Sequence, residues 1–301
     1  MPTISQSLLA ILTRRYPLYS GGIRFANHAL IQKLGGTGDD LAWARVKGGE
    51  VLCNLNDLVG RTAFYTGDLD RKISWVCARI VKPGDTVLDI GANVGIVSLW
   101  LAKLVGNNGK VHAFEPNPEL QQLLNQTIQR NHADNICPHP VALGSKPGQL
   151  ELRILENNTG SGSLILDYRL MNCRVVKVPV QTLDSIVVRE KITAIRLMKI
   201  DVEGFEAEVL RGGSHVLESV RPQAVLFEFV DKCEGRLSDQ PVFKILLEAG
   251  YGFFAIPKCR FQMYLESFDP NRTNDDGITD FLAVQRNGDF KGIARAVRAK
   301  N

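Results

Sequence analysis

The chain has 301 residues, 45% of them apolar and 23% charged, so it is long enough and apolar enough to close a substantial core without staples. Its formal net charge is +4, its glycine and proline contents (27 and 13) are ordinary, and no stretch approaches the ~20 apolar residues of a membrane span. Collagenous, long disordered and membrane-spanning readings are excluded, which leaves a soluble globular protein.

Residues 1–80 read as an irregular extension, a short helix or two followed by a small strand pair near Val51 to Tyr65. From about Gly84, β-branched runs alternate with amphipathic stretches, the rhythm of a parallel sheet wrapped by helices. Thr86 to Ile90 is a buried strand ending at Gly91, and Val94 to Val105 continues with helical spacing at Val94, Val97, Leu101 and Leu104. Lys110 to Phe114 is a second strand. Asn117 caps the next helix, with Pro118 in its first turn and Leu120, Leu123, Leu124 and Ile128 on its apolar face. Further strands read at Ile136 to Leu143, Ile195 to Ile200, Ala224 to Phe229, Phe253 to Ile256 and Thr279 to Val284, seven in all. The helix between Phe205 and Leu210 stops at Gly212 and Gly213, and the one from Pro241 to Ala249 stops at Gly250, each glycine expected as a left-handed cap. Between the third and fourth strands, residues 145–191 alternate at Leu150, Leu152 and Ile154 and again at Val176, Val178 and Val180, the pattern of an inserted β-hairpin. Its connecting segment, Glu156 to Ser163, is polar and glycine-rich, a suitable loop for binding groups. The fold class is therefore α/β: a doubly wound, mostly parallel seven-stranded sheet over residues 81–285, with the β insertion, the extension 1–80 and a basic C-terminal tail 286–301.

Charge is distributed unevenly. Residues 1–80 carry ten Lys and Arg against six Asp and Glu, and residues 81–301 are neutral overall. Beyond Val284, Arg286, Lys291, Arg295, Arg298 and Lys300 face only Asp289, which reads as a solvated tail. No run of five like charges and no aromatic–basic alternation occurs, which argues against nucleic-acid binding. Six scattered cysteines without C-x-x-C spacing argue against structural zinc and a disulfide framework, and with no secretory signal they suggest a reducing, cytoplasmic setting. Asp269 to Asp280 mimics a calcium loop but has Asn274 where glycine is required and Asp280 where glutamate is required.

The most informative stretch is V-L-D-I-G-A-N-V-G, Val87 to Gly95, in which a strand runs into a glycine turn and helix and so presents a ligand at the carboxyl edge of the sheet. A dinucleotide fingerprint would need glycine at Asn93 and Ile96, so a pyrophosphate is poorly served. Asp89, inside the strand end, is a carboxylate held for a cation or for backbone amides, or a brace of the turn. Twenty-four residues after Gly91, Glu115 ends the second strand in H-A-F-E-P, where a carboxylate accepts both hydroxyls of a ribose.

That turn and acid resemble the nucleoside-binding half of class I S-adenosylmethionine-dependent methyltransferases. A-L-G at Ala142 to Gly144, G-S-G-S-L at Gly160 to Leu164, V-Q-T-L-D at Val180 to Asp184, K-I-D-V-E-G-F-E at Lys199 to Glu206 and F-E at Phe227 to Glu228 follow in order. With D-I-G-A-N-V-G and F-E-P-N-P they are similar to the FkbM family over roughly residues 60–285. The resemblance implies methyl transfer from S-adenosylmethionine, usually to an oxygen of a sugar, polyketide or similar small natural product. It further implies that Asp89, Gly91, Ala92, Asn93 and Gly95 shape the methionine end of the cofactor site, Glu115 and Pro116 the ribose, and Ala142 and Leu143 the adenine, with Asp201 beside the reacting methyl. One of Asp201, Glu203 or Glu228, favoured in that order, is the candidate general base that an acceptor hydroxyl requires. Converging carboxylates could instead hold magnesium, but no metal site is assigned. Glu206 and Glu208 read as first-turn helix acids, and His112, His139 and His215 as isolated structural residues. An NAD(P)-dependent oxidoreductase and a non-catalytic nucleoside-binding module are the alternatives. Oligomeric state is not legible.

Overall fold

The computed structural model describes residues 2–14, 18–35, 41–155, 158–163, 173–230, 235–273 and 277–300, with the side chains of 35 and 155–163 outside that description. The elements are α1 (Ile4–Thr13), α2 (Gly22–Ala26), α3 (Ala29–Gly35), β1 (Leu41–Val46), β2 (Gly49–Asn54), α4 (Leu58–Thr66), α5 (Arg71–Ile80), β3 (Thr86–Ile90), α6 (Ile96–Val105), β4 (Lys110–Phe114), α7 (Pro118–Asn131), β5 (Ile136–His139), β6 (Ala142–Leu143), β7 (Gly148–Leu155), β8 (Asn158–Ser163), β9 (Cys173–Gln181), α8 (Leu183–Arg189), β10 (Leu197–Ile200), α9 (Glu206–Arg211), β11 (Ala224–Glu228), α10 (Pro241–Glu248), β12 (Tyr251–Ala255), β13 (Glu266–Phe268), β14 (Asp280–Gln285) and α11 (Phe290–Ala296).

Alternation along the strands sorts side chains to two faces. Val87, Val111, Leu197, Leu226 and Leu282 join α5, α6, α7 and α11 in one core, while Leu88, Ile90, Met198, Phe227 and Phe281 join α8, α9 and α10 in the other. The sheet order is β13-β12-β14-β11-β10-β3-β4-β5, with β11 through β5 parallel and β14, β12 and β13 antiparallel at the far side. The chain starts at β3, builds to one side through β4 and β5, and then returns to β10 on the other. The topological switch point therefore falls between β3 and β10, where crevices for ligands open.

The sheet has eight strands rather than the expected seven. The additional β13 is a three-residue edge strand, too short to carry a periodic signal. The expected third strand, Ile136 to Leu143, divides into β5 and β6, which belong to different sheets. Pro140 has no N–H for the ladder, and the chain turns there, with Val141 N donating to the His139 carbonyl at 2.9 Å. The expected hairpin is part of a four-stranded sheet, β6-β9-β7-β8. Its two alternating runs do pair, Leu150 opposite Val178 and Leu152 opposite Val176. Within the segment expected as a loop, Asn158 to Ser163 is β8; Glu156 and Asn157 lie outside the described residues.

The N-terminal region differs most. Its strand pair is Leu41 to Asn54, and residues expected to extend a strand to Tyr65 form α4 instead. Asp57 caps that helix, its Oδ1 accepting from Val59 N at 2.6 Å, and Gly67 ends it at φ +71. Gly250 is left-handed as expected, whereas Gly212 is right-handed and is needed for close approach: a Cβ there would lie 2.0 Å from the Gly144 carbonyl oxygen. The basic C-terminal stretch is not a free tail, since Ile293 of α11 and Val297 just after it are buried in the first core. In the Asp269 to Asp280 segment, residues 274–276 lie outside the description.

Candidate active site

A pocket of about 440 Å³ opens at the carboxyl ends of β3, β4, β10 and β11, over the switch point. That is within the ~300–1,000 Å³ usual for small-ligand sites. The turn after β3 forms its floor. Gly91 N and Ala92 N both donate to the Phe114 carbonyl at 3.0 and 2.9 Å, and Gly91, Asn93 and Gly95 all take positive φ. At Gly91 (φ +81) a Cβ would sit 1.9 Å from the Asp201 carbonyl oxygen, so the turn after β3 can approach the end of β10 this closely only with glycine there. Gly91→Ala is therefore expected to cost at least about 2 kcal/mol, read as a lowered urea midpoint, because strain and a backbone collision add.

Glu115 is buried and ties the turns together. One carboxylate oxygen accepts from Asn93 N at 2.8 Å and the other from Asn117 N at 2.9 Å. Each oxygen keeps a further lone pair for a ligand hydroxyl. Burial pushes its carboxyl up to about 7.

The residue that organises the opposite wall is Lys199, which the sequence reading passed over. On β10 it stands in register with Asp89 on β3. Its ammonium lies 3.1 Å from Asp89 and 3.3 Å from Asp201 and donates to the Gly91 carbonyl at 3.0 Å. All three of its protons are thereby used. Burial alone would push this ammonium down, but Asp89 and Asp201 outweigh it and hold it above its ordinary value. Asp89 is fully buried and also accepts from Ser98 Oγ at 2.6 Å, so it braces the turn from behind the pocket. A lysine inside an apolar strand looks like an interruption; only pairing across strands reveals its partners.

Of the residues singled out from sequence, Gly91, Ala92, Asn93, Glu115, Pro116, Ala142, Leu143, Asp201, Glu203 and Glu228 line the pocket, and Asp89 and Gly95 support it without lining it. Burial, then Asp201 and Glu206, pushes Glu203 up to about 7; burial, then Asp201, Asp280 and Glu203, pushes Glu228 up to about 8. Glu206 is structural as expected, accepting from Val202 N and Gly204 N at 3.2 Å each.

Two further acids come from outside the expected set. Asp280 starts β14 opposite Glu228, and Asp70 precedes α5; Lys72 bridges them, 2.7 Å from Asp280 and 3.4 Å from Asp70. Ile23, Val59 and Ile73 complete this side, so the N-terminal region closes the pocket. His112 and His139, far apart in sequence, meet at 3.0 Å on neighbouring strands outside the pocket lining. Among the described residues, no group of three or more His, Cys, Asp and Glu side chains is arranged to hold a metal ion, and no helix is long and apolar enough to cross a membrane.

Among the described residues the pocket lining thus holds six carboxyl groups (Asp70, Glu115, Asp201, Glu203, Glu228 and Asp280) and the ammonium of Lys199, with Lys72 between Asp70 and Asp280 behind it. Residues 89–253, more than half the chain, match the Methyltransferase FkbM domain. The protein belongs to the FkbM methyltransferase family. Relatives include the hexuronic acid methyltransferase AglP of Haloferax volcanii, 27% identical over 55% of this chain and 62% of that protein. The 31-O-demethyl-FK506 methyltransferase FkbM of Streptomyces tacrolimicus is 30% identical over 44% of this chain and 60% of its own length. The chain spans about three fifths of the length of these curated relatives. A solved Methyltransferase FkbM from Methylobacillus flagellatus aligns with a TM-score of 0.40 at 13% identity, over 92% of this chain and 59% of that one.

Proposed function

We propose that this FkbM-family protein transfers a methyl group from S-adenosylmethionine to a hydroxyl oxygen of a sugar or other small acceptor. The observation that carries the reading is the pairing of Glu115, bridged between two turns at the switch point, with a wall rich in carboxylates. The first suits a ribose; the second suits a cation. When bound, the cofactor supplies a methyl carbon carried on a positively charged sulfur.

The chain's own residues then have three tasks. The Gly91–Gly95 turn and Glu115 hold the nucleoside, with Ala142 and Leu143 as an apolar border. Lys199 fixes Asp201 and keeps it from turning toward solvent, so that its charge stays at the pocket wall. Glu228 or Glu203 takes the proton that an acceptor hydroxyl must release as its oxygen attacks in line. With their carboxyls raised to about 8 and about 7, these two are matched to proton abstraction near neutrality, whereas the Asp201 side chain is engaged by the Lys199 ammonium at 3.3 Å. The preference among the three candidates is thus reversed from the sequence-based order.

The turn disfavours the oxidoreductase alternative, because Asn93 and Ile96 stand where a pyrophosphate-binding loop needs glycine. The scattered cysteines support a reducing, cytoplasmic setting. Calorimetric titration tests the reading: S-adenosylmethionine is expected to bind and NADH to give no signal, and Glu115→Ala to weaken S-adenosylmethionine binding at least about tenfold through the lost charge-assisted hydrogen bonds. NADH binding without an S-adenosylmethionine signal would refute it. Labelled cofactor incubated with candidate glycosides would then identify the acceptor by transfer of the label.

A further inference from the structure

The first helix is packed with its apolar side outward. Its buried residues are Gln6, Ala10 and Thr13, whereas Ile4, Leu8, Ile11 and Leu12 are 82, 58, 58 and 69% exposed. The inward polar groups are satisfied locally: Gln6 completes a capping box with Thr3, and Thr13 Oγ1 donates to the Leu9 carbonyl at 2.9 Å. The third helix repeats the arrangement, with Leu30 and Leu34 one turn apart on the exposed side and Ile31 buried. Of the thirteen large apolar side chains exposed among the described residues, eight fall within the first 41 positions. An ordinary surface helix buries such a stripe, so this concentration marks a contact surface.

The same region is cationic. Residues 1–38 include Arg14, Arg15, Arg24 and Lys33 and no Asp or Glu, with Asp39 and Asp40 following; Arg24 and Lys33 are exposed, whereas Arg14 packs on Phe64. We propose that the face formed by α1 to α3 docks the protein on an anionic lipid bilayer, with the helices lying in the interface plane. Outward leucines combined with cations and no carboxylates are the features of an interfacial helix. A second copy of the chain fits less well, because a two-fold contact would gather the exposed Arg24 and Lys33 of both copies into one interface. Ile23 belongs both to the exposed apolar set and to the pocket lining, which puts the rim of the site beside the bilayer.

Cosedimentation of the full chain with vesicles tests this without cofactor or acceptor, so failure would leave the methyl-transfer reading standing. The protein is expected to bind vesicles of equal parts phosphatidylcholine and phosphatidylglycerol, to bind phosphatidylcholine alone much less, and to be released by high salt. Leu8→Ser with Leu12→Ser should weaken binding at least about tenfold, and Arg24→Gln with Lys33→Gln about tenfold; circular dichroism and thermal melting check that both variants remain folded. The proposal is overturned by absence of binding to the mixed vesicles, by equal binding of the leucine variant, or by a concentration-dependent dimer that the leucine variant abolishes while vesicles bind nothing.

Discussion

Lys199→Met is expected to destabilise the protein by about 3–5 kcal/mol, the usual consequence of removing one partner of a buried ion pair. Asp89 is fully buried, and its remaining donor would be the Ser98 hydroxyl, which cannot neutralise a carboxylate. For a chain of this length the loss corresponds to roughly 5–8 °C in melting temperature, measurable by calorimetry or circular dichroism. Asp89→Asn in the same background should recover part of the loss, because the stranded charge disappears; the resulting double-mutant cycle isolates the pair. Cofactor affinity should fall as well, since Asp201 and the Gly91 carbonyl lose the ammonium that positions them. A Lys199→Met protein with unchanged melting temperature would show that the ammonium contributes nothing to the fold.

Glu228→Gln is expected to lower kcat by roughly a hundredfold to ten-thousandfold, the range for loss of a general base. It should leave S-adenosylmethionine binding within a few-fold, because in the proposed binding mode the cofactor's ribose rests on Glu115. In the unaltered enzyme the rate should climb as pH rises through about 7 to 8, as the base must be ionised to accept a proton. The variant should lose the upper part of that rise. If Glu228→Gln retains the full rate and Glu203→Gln does not, the base is Glu203. The same groups give stability the opposite slope. Their folded carboxyls hold protons more tightly than the ordinary value of 4.5, so the stability they confer is complete below that value and is lost as pH rises through about 7 and 8. A bound cation should offset that loss, and thermal stabilisation by S-adenosylmethionine should therefore grow with pH.

How much was legible can be seen at particular residues. Gly91, Asn93 and Glu115 were found because a turn with forced backbone angles and an acid at a strand end are local patterns, written in adjacent letters. Asp280 and Asp70 were missed because nothing in their own neighbourhoods points to a pocket: one begins the last antiparallel strand and the other caps α5. They come together only because β14 inserts beside β11 and the N-terminal region folds over the same edge. The His112–His139 contact was missed for the same reason, each histidine looking solitary along the chain.

From β3 onward the sequence alone was sufficient for the main strands of the large sheet, the glycine turn and the order of motifs, since those depend on periodicity and on the few backbone shapes each residue tolerates. Sheet order, the division of Ile136 to Leu143 between two sheets, the place of Lys199 among its acids and the outward leucines of α1 were decided by tertiary structure. Each of these depends on which surfaces meet across long stretches of chain, and a side chain's charge partner or burial is a property of that meeting rather than of its neighbours in sequence.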